Sequence, residues 1–315
     1  MSGMTLDQLR IFLAVAENMH FTRAAEALYL TQPAVSAAIQ SLEEEYRVKL
    51  FDRIGRHIEI TEAGQFLQTE AQKILEYVGA TERGLRELNN LQRGELRLGA
   101  SLTLGNYWLP NTISYFKRLY PGIFVNCTLA NAEEICEKIV LGKVDLGLIA
   151  GEVKPSLKKN LDQEVVGSDC LKIVVGKSHP WFERKEISLT ELITGDWVMR
   201  ESGSGTQQMF EQSLRNRGID TTELNVILVL CSSEMVKAAV ENGVGVAAIP
   251  ELMVKKELEL GTLHSLLIID DRENLNESVN IIRPILKLKH KQRFQTRISK
   301  VFEEMLIHTT YPKSA

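Results

Sequence analysis

Gln32, Ser36 and Gln40 stand four residues apart, a spacing that puts all three on one side of a helix. Thr31 fits the N-cap of that helix, and Pro33 fits its first turn, where no backbone N–H is required. Glutamine can pair with adenine through two hydrogen bonds, serine can bond a phosphate or a base edge, and a small residue such as Ala37 can touch a thymine methyl. Arg47, Lys49, Arg53, Arg56 and His57 then crowd into eleven residues. That local charge suits phosphate contacts. A polar helix face on its own is usually only solvated. Here the capped turn, the spacing and the basic cluster occur together, which favours contact with a DNA major groove.

Three helices and a hairpin must position these groups. Leu6, Leu9, Phe12, Leu13 and Ala16 give one apolar face over Thr5 to Asn18. A second short helix over Thr22 to Leu28 offers Ala24, Ala25 and Leu28, small enough for close approach. The third helix runs to Tyr46, with Val35, Ile39 and Leu42 on its buried side. The net charge of −4 gives no hint of nucleic acid, and residues 1–60 hold six Lys/Arg against eight Asp/Glu. The distribution of charge carries the argument, and a modest salt dependence per protomer is expected.

Phe21–Gly64 resembles the winged helix-turn-helix of the LysR-type bacterial transcriptional regulators. The match runs through Ala24-Ala25, Thr31-Gln32-Pro33-Ala34-Val35-Ser36, Ile39, Leu42-Glu43, Leu50-Phe51, Arg53 and Thr61-Glu62-Ala63-Gly64. The resemblance implies double-stranded promoter DNA as partner. Thr31, Gln32, Pro33, Ser36 and Gln40 would contact it from the recognition helix, and Arg53 and Arg56 from the wing. Two positions depart from the family pattern. Ala37 stands where many members carry arginine, and Arg47 replaces the usual glycine at the corner after the third helix. Arg47 must tolerate left-handed geometry or shift the corner.

From Thr61 to Gln92 there is no proline, and the sequence reads as one long helix. Leu67, Ala71, Ile74, Val78, Thr81, Leu85 and Leu88 step alternately by four and three, a heptad seam. Pairing with a twin helix is the expectation, and packing on its own domain is the alternative. Gly79 and Gly84 weaken this helix, and Arg93-Gly94 reads as a hinge.

Beyond Gly94, short apolar strands alternate with helices, which argues for α/β units with largely parallel sheets. Strands are expected over 95–100, 124–130, 146–150, 171–175, 197–200, 226–230 and 245–249. Helices fall between them, among them 106–119, 133–141, 206–217 and 234–242. Ligands of such sheets lie beyond the strand ends. Three hydroxyl-rich turns open helices there, beginning at Ser101, at Ser202 and at Ser232. They are either plain helix caps or cups for a carboxylate, phosphate or sulfur oxyanion.

This region resembles the LysR-type effector domain, similar in turn to periplasmic solute-binding proteins. The fold expected is multidomain: an all-α winged helix-turn-helix at 1–60, a linker helix at 61–93 that dimerises, and an α/β two-subdomain effector domain at 94–315. Subdomain I takes about 94–166 and 270–315, and subdomain II about 167–269. Ser101, Thr103, Ser202, Ser204, Thr206 and Ser232 are carried over as effector contacts. Gln207 and Gln208 follow Thr206 where some branches have arginine. The phrases around Ser101 and Arg200–Thr206 look like the branch controlling carbon fixation and inorganic sulfur use. That suggests a small phosphorylated metabolite or sulfur oxyanion as effector.

Other signals point nowhere. Gly243 to Ala248 mimics a dinucleotide fingerprint in the wrong order, between helix and strand. The six histidines and four cysteines lack metal-ligand spacing, so no metal or cofactor is expected. Cys127 and Cys136 read as buried thiols. No nucleophile elbow or P-loop is present, which disfavours an enzyme carrying a DNA-binding module, and a pure solute-binding protein would not need Phe21–Gly64. The start MSGMTLDQLR carries no secretion signal and no apolar run suits a bilayer, so a cytoplasmic protein is expected. The resemblance further implies a homotetramer assembled through the effector domains, and contact with RNA polymerase.

Overall fold

The structure, a computed structural model, describes residues 3–54, 57–87, 94–270 and 277–308. It divides into two compact units, Met1–Leu85 and Arg86–Ala315.

In the first unit α1 (Leu6–Asn18), α2 (Phe21–Ala27) and α3 (Gln32–Tyr46) precede a hairpin of β1 (Phe51–Ile54) and β2 (His57–Ile60), then helix α4 (Glu62–Glu87). Thr5 starts α1 through reciprocal bonds with Gln8: its hydroxyl accepts the Gln8 N–H at 3.2 Å, and the Gln8 side chain accepts the Thr5 N–H at 2.9 Å. Phe12, Val15, Ala24, Ala25, Val35, Ile39 and Leu42 close the core. Phe51 of the hairpin joins it, its ring 5.4 Å from Phe12 and 6.1 Å from Phe21. The start of α4 lies so close to the hairpin that a Cβ on Gly64 would stand 2.3 Å from the Leu50 carbonyl oxygen. Only glycine fits there. Thr61 fastens the same corner, donating to the Lys49 carbonyl at 2.6 Å and accepting the Gly64 N–H at 3.0 Å.

The heptad seam of α4 is split. Leu67 and Ala71 pack into the core of their own unit, with Ala63 and Leu75, because the first turns of α4 lie against the three-helix core. Ile74, Tyr77 and Leu85 are exposed. The end of the expected helix, Leu88–Gln92, falls outside the described residues.

The second unit runs β3 (Gly94–Ser101), α5 (Leu102–Tyr107), α6 (Leu109–Leu119), β4 (Ile123–Ala130), α7 (Ala132–Val140), β5 (Leu146–Ala150), α8 (Pro155–Lys158), β6 (Leu161–Gly176), β7 (Glu186–Ser188), β8 (Asp196–Arg200), α9 (Gly205–Arg215), β9 (Asn225–Leu230), α10 (Ser233–Glu241), β10 (Val246–Pro250), α11 (Glu251–Leu260), β11 (Leu263–Asp270), β12 (Glu277–Val279), β13 (Ile281–His290) and α12 (Arg297–His308). The single helix expected over 106–119 is two helices. Pro110 has no N–H to continue the turn from Asn106, so the chain breaks at Trp108 and restarts.

The main sheet has strand order β4-β3-β5-β13-β6-β10-β8-β9, with β11 also on β6. Its ends are parallel, as expected: β4-β3-β5 on one side, β10-β8-β9 on the other. Its middle is antiparallel, which corrects the largely parallel expectation. The cause is β6 and β13, long strands that cross between two cores. Leu96, Leu98, Phe116, Leu146 and Phe302 form the core of subdomain I. Ile173, Trp197, Phe210, Val246 and Leu266 form that of subdomain II. The return crossing lies in β13 rather than near residue 270, since Ile281 packs in the second core and Ile285 in the first.

Candidate DNA interface and ligand cleft

Thr31 caps α3 from extended backbone, its hydroxyl accepting the Ala34 N–H at 3.4 Å. Gln32, Pro33 and Gln40 are exposed and Ser36 half-buried, opposite the buried Val35, Ile39 and Leu42. The side chains are pre-ordered along the helix: Gln32 Nε2 donates to Ser36 Oγ at 2.9 Å, and Gln40 Nε2 to Glu44 Oε1 at 2.7 Å. An open cleft of about 640 Å³ separates α3 from the hairpin, lined in part by Ser36, Gln40, Arg47, Lys49 and Asp52. Arg47 adopts the left-handed corner itself, with φ 53°. Arg53 stands opposite Ile58 on β1. Its side chain, and all of Arg56, lie outside the described residues.

Glu43 fixes the wing to the recognition helix. It accepts from Lys49 Nζ at 2.7 Å and from the N–H groups of Leu50 and Phe51 at 2.8 and 3.3 Å. Burial works against its charge, but the Lys49 and backbone bonds outweigh it and hold the carboxyl below its ordinary value of 4.5. A carboxyl depressed in the fold adds stability above its unfolded value and loses it as pH falls through its folded one. The protection of the Leu50 and Phe51 amides from hydrogen exchange is therefore expected to fall on acidification below pH 4.5. Glu43→Gln is expected to cost about 1 kcal/mol at neutral pH and to flatten that acid limb. An unchanged limb would dismiss Glu43 as the clamp.

The second site lies where the subdomains meet. Ser101, Thr103, Asn131, Ser204, Thr206, Arg200 and Arg283 line a cleft closed to about 10 Å³, room for one water at most. Four of the six hydroxyl residues singled out from sequence thus come together: Ser101, Thr103, Ser204 and Thr206. Ser202 is exposed, and Ser232 is half-buried away from the lining. Ser101, Ser204 and Ser232 occupy N-cap positions, but none of their side chains makes the capping bond. The Ser101 hydroxyl instead accepts the Ala150 N–H at 3.3 Å, and Thr103 Oγ1 donates to Met253 Sδ at 3.7 Å.

Sequence reasoning passed over the two arginines. Arg283 on β13 lies opposite Asp169 on β6, where the crossing strands pair. It is 2% exposed and donates to Asp169 Oδ2 through Nη2 at 2.6 Å and Nε at 3.2 Å, and to Thr206 Oγ1 at 3.0 Å. Burial pushes its ordinary value down, Asp169 resists, and the like charge of Arg200 adds to the depression. Arg200, 7% exposed, is gripped by Glu201 through Nε at 2.8 Å and Nη2 at 2.9 Å, and donates to Ser233 Oγ. For Arg200 a signal was present, a charged residue closing an apolar strand, whereas β13, which carries Arg283, was not among the expected strands. Two guanidinium groups and several hydroxyls in one closed cleft can receive an oxyanion.

Closure is direct. The Glu133 N–H donates to the Gly203 carbonyl across the cleft at 3.3 Å. A Cβ on Gly205 would lie 1.9 Å from the Ala150 oxygen, so α9 seats on the end of β5 only through glycine. Tyr107 of α5 donates to Glu234 of α10, and Lys237 bridges Tyr107 Oη at 3.2 Å, Glu234 at 3.1 Å and Glu257 of α11 at 2.9 Å.

Residues 6–65 match the model of the bacterial regulatory helix-turn-helix proteins of the lysR family, and residues 89–308 match that of the LysR substrate binding domain. The chain belongs to the LysR family. Its two matched segments coincide with the recognition-helix unit and with the cleft-bearing unit, so this LysR regulator joins a promoter-DNA-binding module to a small-molecule-binding one. A probable RuBisCO transcriptional regulator from Cyanophora paradoxa is 35% identical over 303 residues, 96% of this chain and 91% of the relative. The full-length CbnR solved in complex with target DNA shares the fold with a TM-score of 0.68 at 22% identity, covering 97% of this chain and 99% of that one. The regulatory domain of CcmR from Synechocystis PCC6803, solved in complex with 2-PG, has a TM-score of 0.59 at 24% identity over 70% of this chain and 99% of that one.

Cys136 is buried, its thiol pushed up to about 12 by burial and by Glu133, and burial also raises Cys127. Neither is poised as a thiolate. Among the described residues no cluster of His, Cys, Asp and Glu could hold a metal ion, and no helix is long and apolar enough to cross a membrane.

Proposed function

We propose that this LysR regulator controls carbon-fixation genes and that a small phosphorylated anion sets its state by entering the cleft between the subdomains. The observation that carries this is the pair of buried guanidiniums, Arg200 and Arg283, among Ser101, Thr103, Ser204 and Thr206. The relatives named as RuBisCO regulators and the CcmR domain holding 2-PG supply the pathway and the ligand class. Thr31, Gln32, Pro33, Ser36, Gln40, Arg53 and Arg56 contact the promoter in this reading. The protein acts in the cytoplasm as a regulator without catalysis, and passes the effector signal to RNA polymerase.

The same reading makes it a homotetramer. Ile74, Tyr77 and Leu85 leave an apolar stripe on α4 for a twin helix. The two end strands of the main sheet, β4 and β9, expose Phe124 and Leu129 on one and Val226, Ile227 and Val229 on the other, and Tyr115 and Leu119 of α6 are exposed as well. Bare apolar edges of this kind suit pairing with further copies.

Footprinting on a carbon-fixation promoter with and without 2-PG tests the whole reading. The expected result is a protected dyad that 2-PG alters, protection lost in Gln32→Ala, and the 2-PG response lost in Arg200→Ala with protection kept. A footprint indifferent to 2-PG would overturn the effector assignment, and one unchanged in Gln32→Ala would overturn the recognition helix.

A further inference from the structure

Tyr29 occupies the turn between α2 and α3, and it is chosen against every local preference. The turn closes α2 with two bonds, the Tyr29 N–H to the Glu26 carbonyl at 3.2 Å and the Leu30 N–H to the Ala25 carbonyl at 2.9 Å. This paired pattern places Tyr29 at the position where helices usually take glycine, and its φ of 56° is the left-handed geometry that explains why. Among the described residues three non-glycines share positive φ, and Tyr29 differs from the other two. Met19 is 37% exposed, and Arg47 lines the cleft beside the wing. Tyr29 is 97% exposed, so its ring is rewarded by no packing within the fold. A strained backbone under an unpacked aromatic points to an external partner.

Its place says which one. Two residues on, Thr31 caps the recognition helix. In helix-turn-helix docking the N-terminal end of that helix enters the major groove, so the turn leading into it lies over the groove's rim, within a side chain's reach of the sugar-phosphate chain. We infer that Tyr29 is a further DNA-contacting residue, its hydroxyl donating to a backbone phosphate while Leu30, 44% exposed, lies against the adjoining sugar. The inference rests on α3 being the recognition helix. It assigns Tyr29 to positioning the protein along the duplex, and no sequence discrimination comes from it.

Full-length protein, titrated against a labelled promoter duplex and a scrambled duplex in fluorescence anisotropy, tests it. Tyr29→Phe is expected to melt like the parent and to bind both duplexes more weakly, by about tenfold for loss of a bond to a charged acceptor. The salt slope should not change, because a neutral hydroxyl displaces no counterion. Tyr29→Gly relieves the strained backbone, so it should melt higher and bind more weakly still. That pairing of higher stability with lower affinity is one a structural role cannot produce. Parent-like DNA binding in both variants would overturn the proposal. So would a loss confined to the promoter duplex, or a changed oligomer size in sedimentation that accounts for the weakening. Gln32→Ala serves as the control: if it too binds like the parent, the recognition-helix reading itself has failed, whereas a weakened Gln32→Ala beside intact Tyr29 variants rejects Tyr29 alone.

Discussion

Arg283→Met is expected to destabilise the effector domain by about 3–5 kcal/mol, the usual consequence of stripping one partner from a buried ion pair. Asp169 has a side chain only 3% exposed, and its Oδ2 is held by the Arg283 guanidinium alone among the bonds it accepts. Without the arginine that charge stays buried with no cation beside it. The pair also joins the two crossing strands at facing positions, so the damage falls where the subdomains share backbone. Urea unfolding followed by tryptophan emission would read the change, since Trp197 sits fully buried in the core of subdomain II. A second variant separates the charge from the packing. Asp169→Leu combined with Arg283→Met removes both charges and should recover much of the loss, as apolar replacements of whole buried pairs often do. The double variant should nonetheless fail to respond to 2-PG, because Arg283 also donates to Thr206 at the cleft wall. A single variant as stable as the parent would show that Asp169 is wetter than its surroundings imply.

The same pair shows where reading the sequence stopped. The winged helix was legible because its determinants are local: the Thr31 cap, Pro33 in the first turn, and Val35, Ile39 and Leu42 at helical spacing all fall within a dozen residues. Gly64 was legible as a motif, and its reason, the Leu50 carbonyl beneath it, lies just before the hairpin that leads into the helix beginning at Glu62. The cleft was half legible. Hydroxyl-rich turns after strands pointed to Ser101, Thr103, Ser204 and Thr206 because strand ends face ligands in such sheets. Arg283 was not, because its neighbours are set by a pairing with a strand 114 residues earlier. Strand β13 reads Ile281-Ile282-Arg283-Pro284-Ile285, and a proline inside such a run weakens its strand signal. The antiparallel middle of the sheet was hidden for the same reason, since no local pattern says that β6 will run on for sixteen residues across two cores. The heptad seam misled at Leu67 and Ala71 because a periodic apolar face does not say whose core it meets.

Lys237→Met should loosen the closed cleft and thereby strengthen effector binding, a gain of affinity from a loss of contacts. Lys237 is the hub of the polar network that ties α5 of subdomain I to α10 and α11 of subdomain II. Its side chain is only 13% exposed, and it donates to Tyr107, Glu234, Glu257 and the Met253 carbonyl. Burial opposes the ammonium, but these partners outweigh it and raise its pKa above the ordinary value, so it is charged throughout the physiological range. Its removal deletes the bond to Tyr107 across the cleft and leaves Glu234, which Tyr107 also bonds, without its cation, at a cost of about 1–3 kcal/mol to the closed arrangement. A cleft with space for one water cannot admit a phosphorylated ligand, so binding must draw on an open state. The apparent dissociation constant is then the intrinsic one divided by the open fraction. Each kilocalorie taken from closure raises a small open fraction about fivefold, and the 2-PG affinity measured by calorimetry should tighten in proportion. Tyr107→Phe, which deletes only the hydroxyl that crosses the cleft, should give the same direction with a smaller size. The acid limb supplies an independent check. Burial raises the Glu257 carboxyl, but the Lys237 bond overrides it and holds it below its ordinary value, so the parent loses stability as pH falls through that lowered value. In Lys237→Met that loss should disappear. Weaker 2-PG binding in both variants would mean that the network builds the binding-competent cleft instead of holding it shut.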